Sequence, residues 1–167
     1  MPSARAAHAR GLTWHQKGRS FSESSLDELQ GGAVEDGRVT MADVDIRAAL
    51  DRHWMASASG DQVAEHEIYQ ENVIVDYPQS GERIRGRQNI LALRSHHPSK
   101  PAGFVVRRIV GTGELWVTEY SISYDGHPVH TVSIMEFEGG KVARETQYFA
   151  EPFAAPPWRK QWVERST

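Results

Sequence analysis

Glu145, Gln147 and Phe149 occupy alternate positions of one run rich in β-branched and aromatic residues, and Trp116, Thr118, Tyr120 and Ile122 alternate along another. Alternate side chains of a strand share a face, so each set is presented together. A carboxylate held among aromatic rings suits acid–base chemistry, because the loss of water favours its protonated form. Glu145 is therefore the acid–base candidate. The competing roles are an ion pair with an arginine such as Arg107 or Arg144, or a place at the solvent rim.

His53 follows Leu50 on the apolar face of a helical stretch, beside Trp54. A neutral imidazole there can trade protons with Glu145 or orient a ligand carbonyl, and a hydrogen-bonded core histidine is the plainer alternative. His127 and His130 stand three apart on a hairpin and point to opposite faces, while His96 and His97 are adjacent at a helix end. Neither pair has metal-ligand geometry, so neither a metal nor a cofactor is expected.

The 167 residues are enough for one core, and 39% hydrophobic with 25% charged is an ordinary globular balance. A net charge of −3 with no basic stripe argues against nucleic acid as a partner. No apolar run nears the roughly 20 residues of a membrane helix. The chain has no cysteine, which excludes disulfides and thiolate chemistry and fits a reducing cytoplasm. Four of the five tryptophans and all five tyrosines fall after position 50, the composition of a filled core or of a pocket for an apolar ligand.

Residues 1–40 follow neither the helical nor the strand period and are expected to be a flexible extension, with residues 41–167 as the domain. Met41 stands directly before the first periodic segment and is an alternative start, so a chain beginning there is expected to melt within about a degree or two of full length. Ile46, Leu50, His53, Trp54 and Ser57 mark one face of a first helix, with Thr40 and Asp43 at capping-box spacing and Gly60 at its end. Asp61 opens a second, short helix carrying Val63, His66 and Tyr69. Val73–Val75 is a strand stopped at Tyr77-Pro78, and Arg83–Arg85 returns from it. A third helix runs from Gly86 to about His97 with Ile90, Leu93 and His97 on one face. Phe104–Val110, Leu115–Tyr124, Val129–Phe137 and Val142–Phe149 then form a meander, with Asp125-Gly126 and Gly139-Gly140 at hairpin turns. Trp158 and Trp162 lie four apart after Pro156-Pro157, on a short final helix that either caps the core or joins a dimer seam.

Helices followed by a meander predict an α+β domain: a cone-shaped, curved antiparallel sheet covered by three N-terminal helices. The stretch Val75-Asp76-Tyr77-Pro78-Gln79-Ser80-Gly81-Glu82-Arg83-Ile84-Arg85-Gly86 and the ending Gly140-Lys141-Val142-Ala143-Arg144-Glu145-Thr146-Gln147-Tyr148-Phe149 resemble SnoaL-like members of the nuclear-transport-factor-2-like superfamily. That resemblance implies a cystatin-like α+β barrel with an internal pocket for a small-molecule ligand, and a homodimer paired through the open sheet face. It turns Tyr77 and the alternating strand residues inward. Within it, the donor and base positions of ketosteroid isomerase fall on His53 and Tyr77, and a second donor near Ser133 or Met135. None of these is the residue that isomerase requires. The resemblance therefore implies a lyase, isomerase or cyclase of another kind, or a non-catalytic binding module. Trp54, Tyr77, Trp116, Tyr120, Ile122, Ser133, Gln147 and Phe149 are the expected ligand contacts around Glu145 and His53. Asp76 should face outward as a structural acceptor.

Overall fold

The computed structural model describes residues 40–99 and 101–164. The extension expected at the N-terminus lies outside them, apart from Thr40. Helix α1 (Met41–Ser59) opens with the expected capping box. The Thr40 hydroxyl accepts the Asp43 N–H at 3.1 Å, and the Asp43 carboxylate accepts the Thr40 N–H at 2.9 Å. Asp43 also accepts the Gly113 N–H at 2.6 Å, which ties the start of α1 to the first hairpin turn of the meander. Since Thr40 supplies the cap, a chain trimmed to Met41 would lose it, whereas one trimmed to Val39 would not. Gly60, at φ 76°, ends α1, and Asp61 caps helix α2 (Gln62–His66).

Strand β1 (Tyr69–Tyr77) begins four residues earlier than Val73, so Tyr69 belongs to the sheet and not to α2. Strand β2 (Glu82–Arg85) returns antiparallel to β1, and helix α3 (Arg87–Ser95) follows. Strands β3 (Pro101–Thr112), β4 (Leu115–Tyr124), β5 (His127–Glu138) and β6 (Lys141–Ala150) form the meander. The sheet order is β2-β1-β6-β5-β4-β3. It is mixed and not wholly antiparallel, because β1 and β6 run parallel, with Val75 opposite Glu145. A parallel pair needs a long connection, and α3 plus the whole meander supplies it. Among the described residues no helix is long and apolar enough to cross a membrane.

The inner face of the sheet and the helices share one core, with Leu50, Val73, Val75, Ile90 and Val142 fully buried. On α3 the face is shifted from the expected one: Ile90 is buried, Leu93 is 45% exposed, and Arg94 turns inward four residues after Ile90. His97 lies beyond the helix and stacks on Tyr124 at 4.7 Å. The segment after β6 ends in a 3-10 turn (Pro157–Trp162), on which Trp158 and Trp162 are 72% and 71% exposed. They do not cap the core. At three residues per turn, positions four apart no longer share a face.

Gly111 sits opposite Trp116 across the β3–β4 hairpin, and a Cβ there would stand 2.5 Å from the Leu115 carbonyl oxygen and 2.6 Å from the Trp116 ring. Neither backbone nor buried ring can yield. Gly111→Ala is expected to cost about 1–3 kcal/mol, read as a lower urea midpoint at unchanged slope.

Candidate functional site

The helices and the inner sheet face surround a cavity of about 1580 Å³ that opens to solvent. Trp54, Phe104, Tyr120, Ile122, Tyr77 and Phe149 supply its apolar wall, and Glu65, Arg94 and Gln147 its polar end. Trp54, Phe104 and Tyr120 pack as one cluster, with Phe104 and Tyr120 stacked at 4.8 Å. Tyr77 meets Phe149 edge-on at 5.7 Å. The Gln79 side-chain amide accepts the Phe149 N–H at 2.7 Å and donates to its carbonyl, which holds the turn after β1 against β6.

Glu145 lies behind this wall with no solvent exposure. Its carboxylate accepts the Tyr69 hydroxyl at 2.6 Å, the Ser133 hydroxyl at 2.6 Å and the Gln147 amide at 2.8 Å. The Arg94 guanidinium stands 3.8 Å away, donates to the Tyr69 oxygen at 3.1 Å, and pairs with Glu65 at 2.6 Å. One guanidinium thus sits between two carboxylates. Burial pushes the phenols of Tyr69 and Tyr120 well above their ordinary value, so both remain proton donors. The Gln147 amide nitrogen also donates to the Tyr120 oxygen at 3.4 Å.

His53 is buried but does not line the cavity. Its Nδ1 donates to the Glu65 carbonyl at 2.7 Å, and its ring lies against Trp54 and Tyr69. Tyr69 fills the place beside Glu145 that the helical period suggested for the imidazole. Burial, then the charge of Arg94, pushes His53 down to about 3 from 6.5. Between those values the unfolded chain binds a proton that the folded chain refuses. Stability is therefore fullest above pH 6.5 and falls by about 1 kcal/mol per unit as the solution is acidified toward 3. His66, also lowered by burial and by Arg94, adds in the same direction. Urea melts at pH 7, 6 and 5 measure this slope, and His53→Asn should flatten it.

Of the expected ligand contacts, Trp54, Tyr77, Tyr120, Ile122, Gln147 and Phe149 line the cavity. Ser133 and Glu145 lie together beneath the wall. Trp116 is away from it, donating to the Gly113 carbonyl at 3.0 Å beside Asp43 and Arg47. Arg144 pairs with Asp76 at 2.6 Å, and Arg83 with the same carboxylate at 2.5 Å, so neither competes for Glu145. The sequence reading missed Tyr69, Arg94 and Glu65. The spacing of Ile90 and Arg94, one helical turn apart, was the available signal for the arginine.

The family described as SnoaL-like domain matches residues 48–145. This chain belongs to the SnoaL-like domain family. It is 65% identical to an NTF-2 like protein of unknown function from Burkholderia xenovorans LB400, over 77% of this chain and 100% of that one, at a TM-score of 0.70. A candidate ketosteroid isomerase from Kribbella flavida DSM 17836 is 24% identical over 74% of this chain and 90% of its own, at a TM-score of 0.67. An LEH-like epoxide hydrolase of M. tuberculosis shares the fold at 17% identity and a TM-score of 0.53, over 64% and 83% of the two chains. No curated protein matches the chain. The SnoaL-like cone is thus secure, and the last two likenesses speak for the fold alone.

Proposed function

We propose that this SnoaL-like protein takes a small, mostly apolar, oxygen-bearing molecule into the cone and shifts a proton on it without a cofactor, as an isomerase, lyase or cyclase does. The observation that carries the proposal is Glu145: a carboxylate of zero exposure, set behind an aromatic cavity and held by three donors and a guanidinium. Buried ion pairs contribute little to stability once desolvation is counted, so such a network points to a site. The Tyr120 hydroxyl accepts from Gln147, which leaves its own proton for a ligand oxygen. Arg94, 19% exposed, lines the same cavity and holds Glu65 and Glu145 in place at its polar end. Glu145 takes the proton once the Gln147 amide, which lines the cavity and donates to the carboxylate at 2.8 Å, turns aside.

Deuterium uptake at the α-carbons of 2-tetralone in D2O, followed by NMR, tests this. Wild type should exceed buffer, and Glu145→Gln should lose about 100-fold or more. Bound but unexchanged ketone would leave the non-catalytic reading, in which Glu145 only anchors Arg94 and Gln147. The outer sheet face exposes Val105, Val110, Leu115 and Tyr148, and we infer that a homodimer covers it. Light scattering that reports a monomer at high micromolar concentration would exclude the dimer. A cytoplasmic location fits the absence of cysteine.

A further inference from the structure

We infer that the ligand of this cavity carries a positive charge: an apolar body bearing an ammonium group, taken in preference to the neutral or anionic molecule of the same shape. The inference rests on the ligand-binding proposal above and narrows its substrate class. Among the described residues, the charged side chains lining the cavity are Glu65, Glu82 and Glu151 against Arg94 alone, with histidine counted as neutral. Arg94 is not a free cation. Glu65 at 2.6 Å and Glu145 at 3.8 Å neutralise it from within the protein. An anionic ligand would have to pull the guanidinium from these partners and leave a carboxylate unpaired in a low-dielectric site. A cation meets no such obstacle.

Two further features suit an ammonium. The walls carry the rings of Trp54, Phe104, Tyr77, Tyr124 and Phe149, and ring faces attract cations through their quadrupoles. In this structure the Gln147 nitrogen serves Glu145 and Tyr120, which turns the side chain's carbonyl oxygen away from them. Its carbonyl oxygen meets no donor among the described residues and is an acceptor for a ligand N–H. Glu82 and Glu151 are exposed at the mouth, where they raise the local concentration of cations.

The test is titration calorimetry of the full chain at pH 7 and low salt with 1-naphthylmethylamine, 1-naphthalenemethanol and 1-naphthoate. The amine should bind about tenfold or more tightly than the alcohol, and the naphthoate should not saturate. Glu82→Gln and Glu151→Gln, both at the rim and outside the Glu145 network, should each weaken the amine several-fold and leave the alcohol unchanged. Alcohol or naphthoate binding as tightly as the amine overturns the charge selection while leaving the cavity a ligand site. Amine affinity untouched by both rim variants overturns it too. Silence from all three probes overturns the charge selection together with the ligand-binding proposal beneath it.

Discussion

Replacing Arg94 with methionine is expected to cost about 3–5 kcal/mol, a fall in Tm of roughly 10–20 °C for a chain this size. The change leaves the Glu145 carboxylate without its countercharge at zero exposure, and deprives the Tyr69 oxygen and Glu65 of their donor. Methionine keeps most of the volume, so the loss is electrostatic and not a cavity effect. The double variant Arg94→Met/Glu145→Gln should therefore recover much of the lost stability, because neither charge remains to be buried. A double-mutant cycle by urea denaturation reads the coupling directly. Additive losses would mean that the two side chains do not act as a pair, and the network would lose its electrostatic basis.

Trp54→Ala should be of similar size, about 3–5 kcal/mol, for a different reason. The indole is 5% exposed, packs on Tyr120 at 4.7 Å and Phe104 at 5.6 Å, and donates to the Thr118 hydroxyl at 3.1 Å. Alanine empties the middle of the aromatic wall. Trp54→Phe keeps a ring there and gives up mainly the N–H bond, about 1 kcal/mol. Equal losses from the two variants would show that the hydrogen bond dominates over packing. Binding of 1-naphthalenemethanol should weaken in the alanine variant and largely survive in the phenylalanine one.

Much of this fold was legible because local rules carried it. Thr40 and Asp43 announced the start of α1 by spacing, and Asp125-Gly126 turns with φ values of 51° and 83°, as an Asp-Gly hairpin requires. Strand alternation correctly grouped Tyr120 with Ile122, and Glu145 with Gln147. The misses were cases in which tertiary contacts outweighed local pattern. Tyr69 continues the spacing of α2, but its pairing opposite Val142 makes it the first residue of β1. Leu93 is the apolar residue that the pattern places on the inner side of α3, yet half-buried Glu65 and buried Tyr69 draw Arg94 inward in its place. A charged residue chosen for the interior by partners distant in sequence breaks the apolar pattern, and only its place one turn after Ile90 points to it. The parallel β1–β6 pairing was equally hidden, since adjacent segments suggest only adjacent pairing.

That parallel seam also bears on the order in which the protein assembles. The β3–β6 meander grows through hairpins whose partners are near in sequence, which is fast. Joining β1 to β6 brings together Tyr69 and Glu145, separated by 76 residues, and the chain entropy of so large a loop makes this a late step. Until then the carboxylate lacks Tyr69 and lies on an open sheet edge. Refolding followed at the tryptophans should therefore report the meander before ligand binding returns, with the chemical end of the cone completed last.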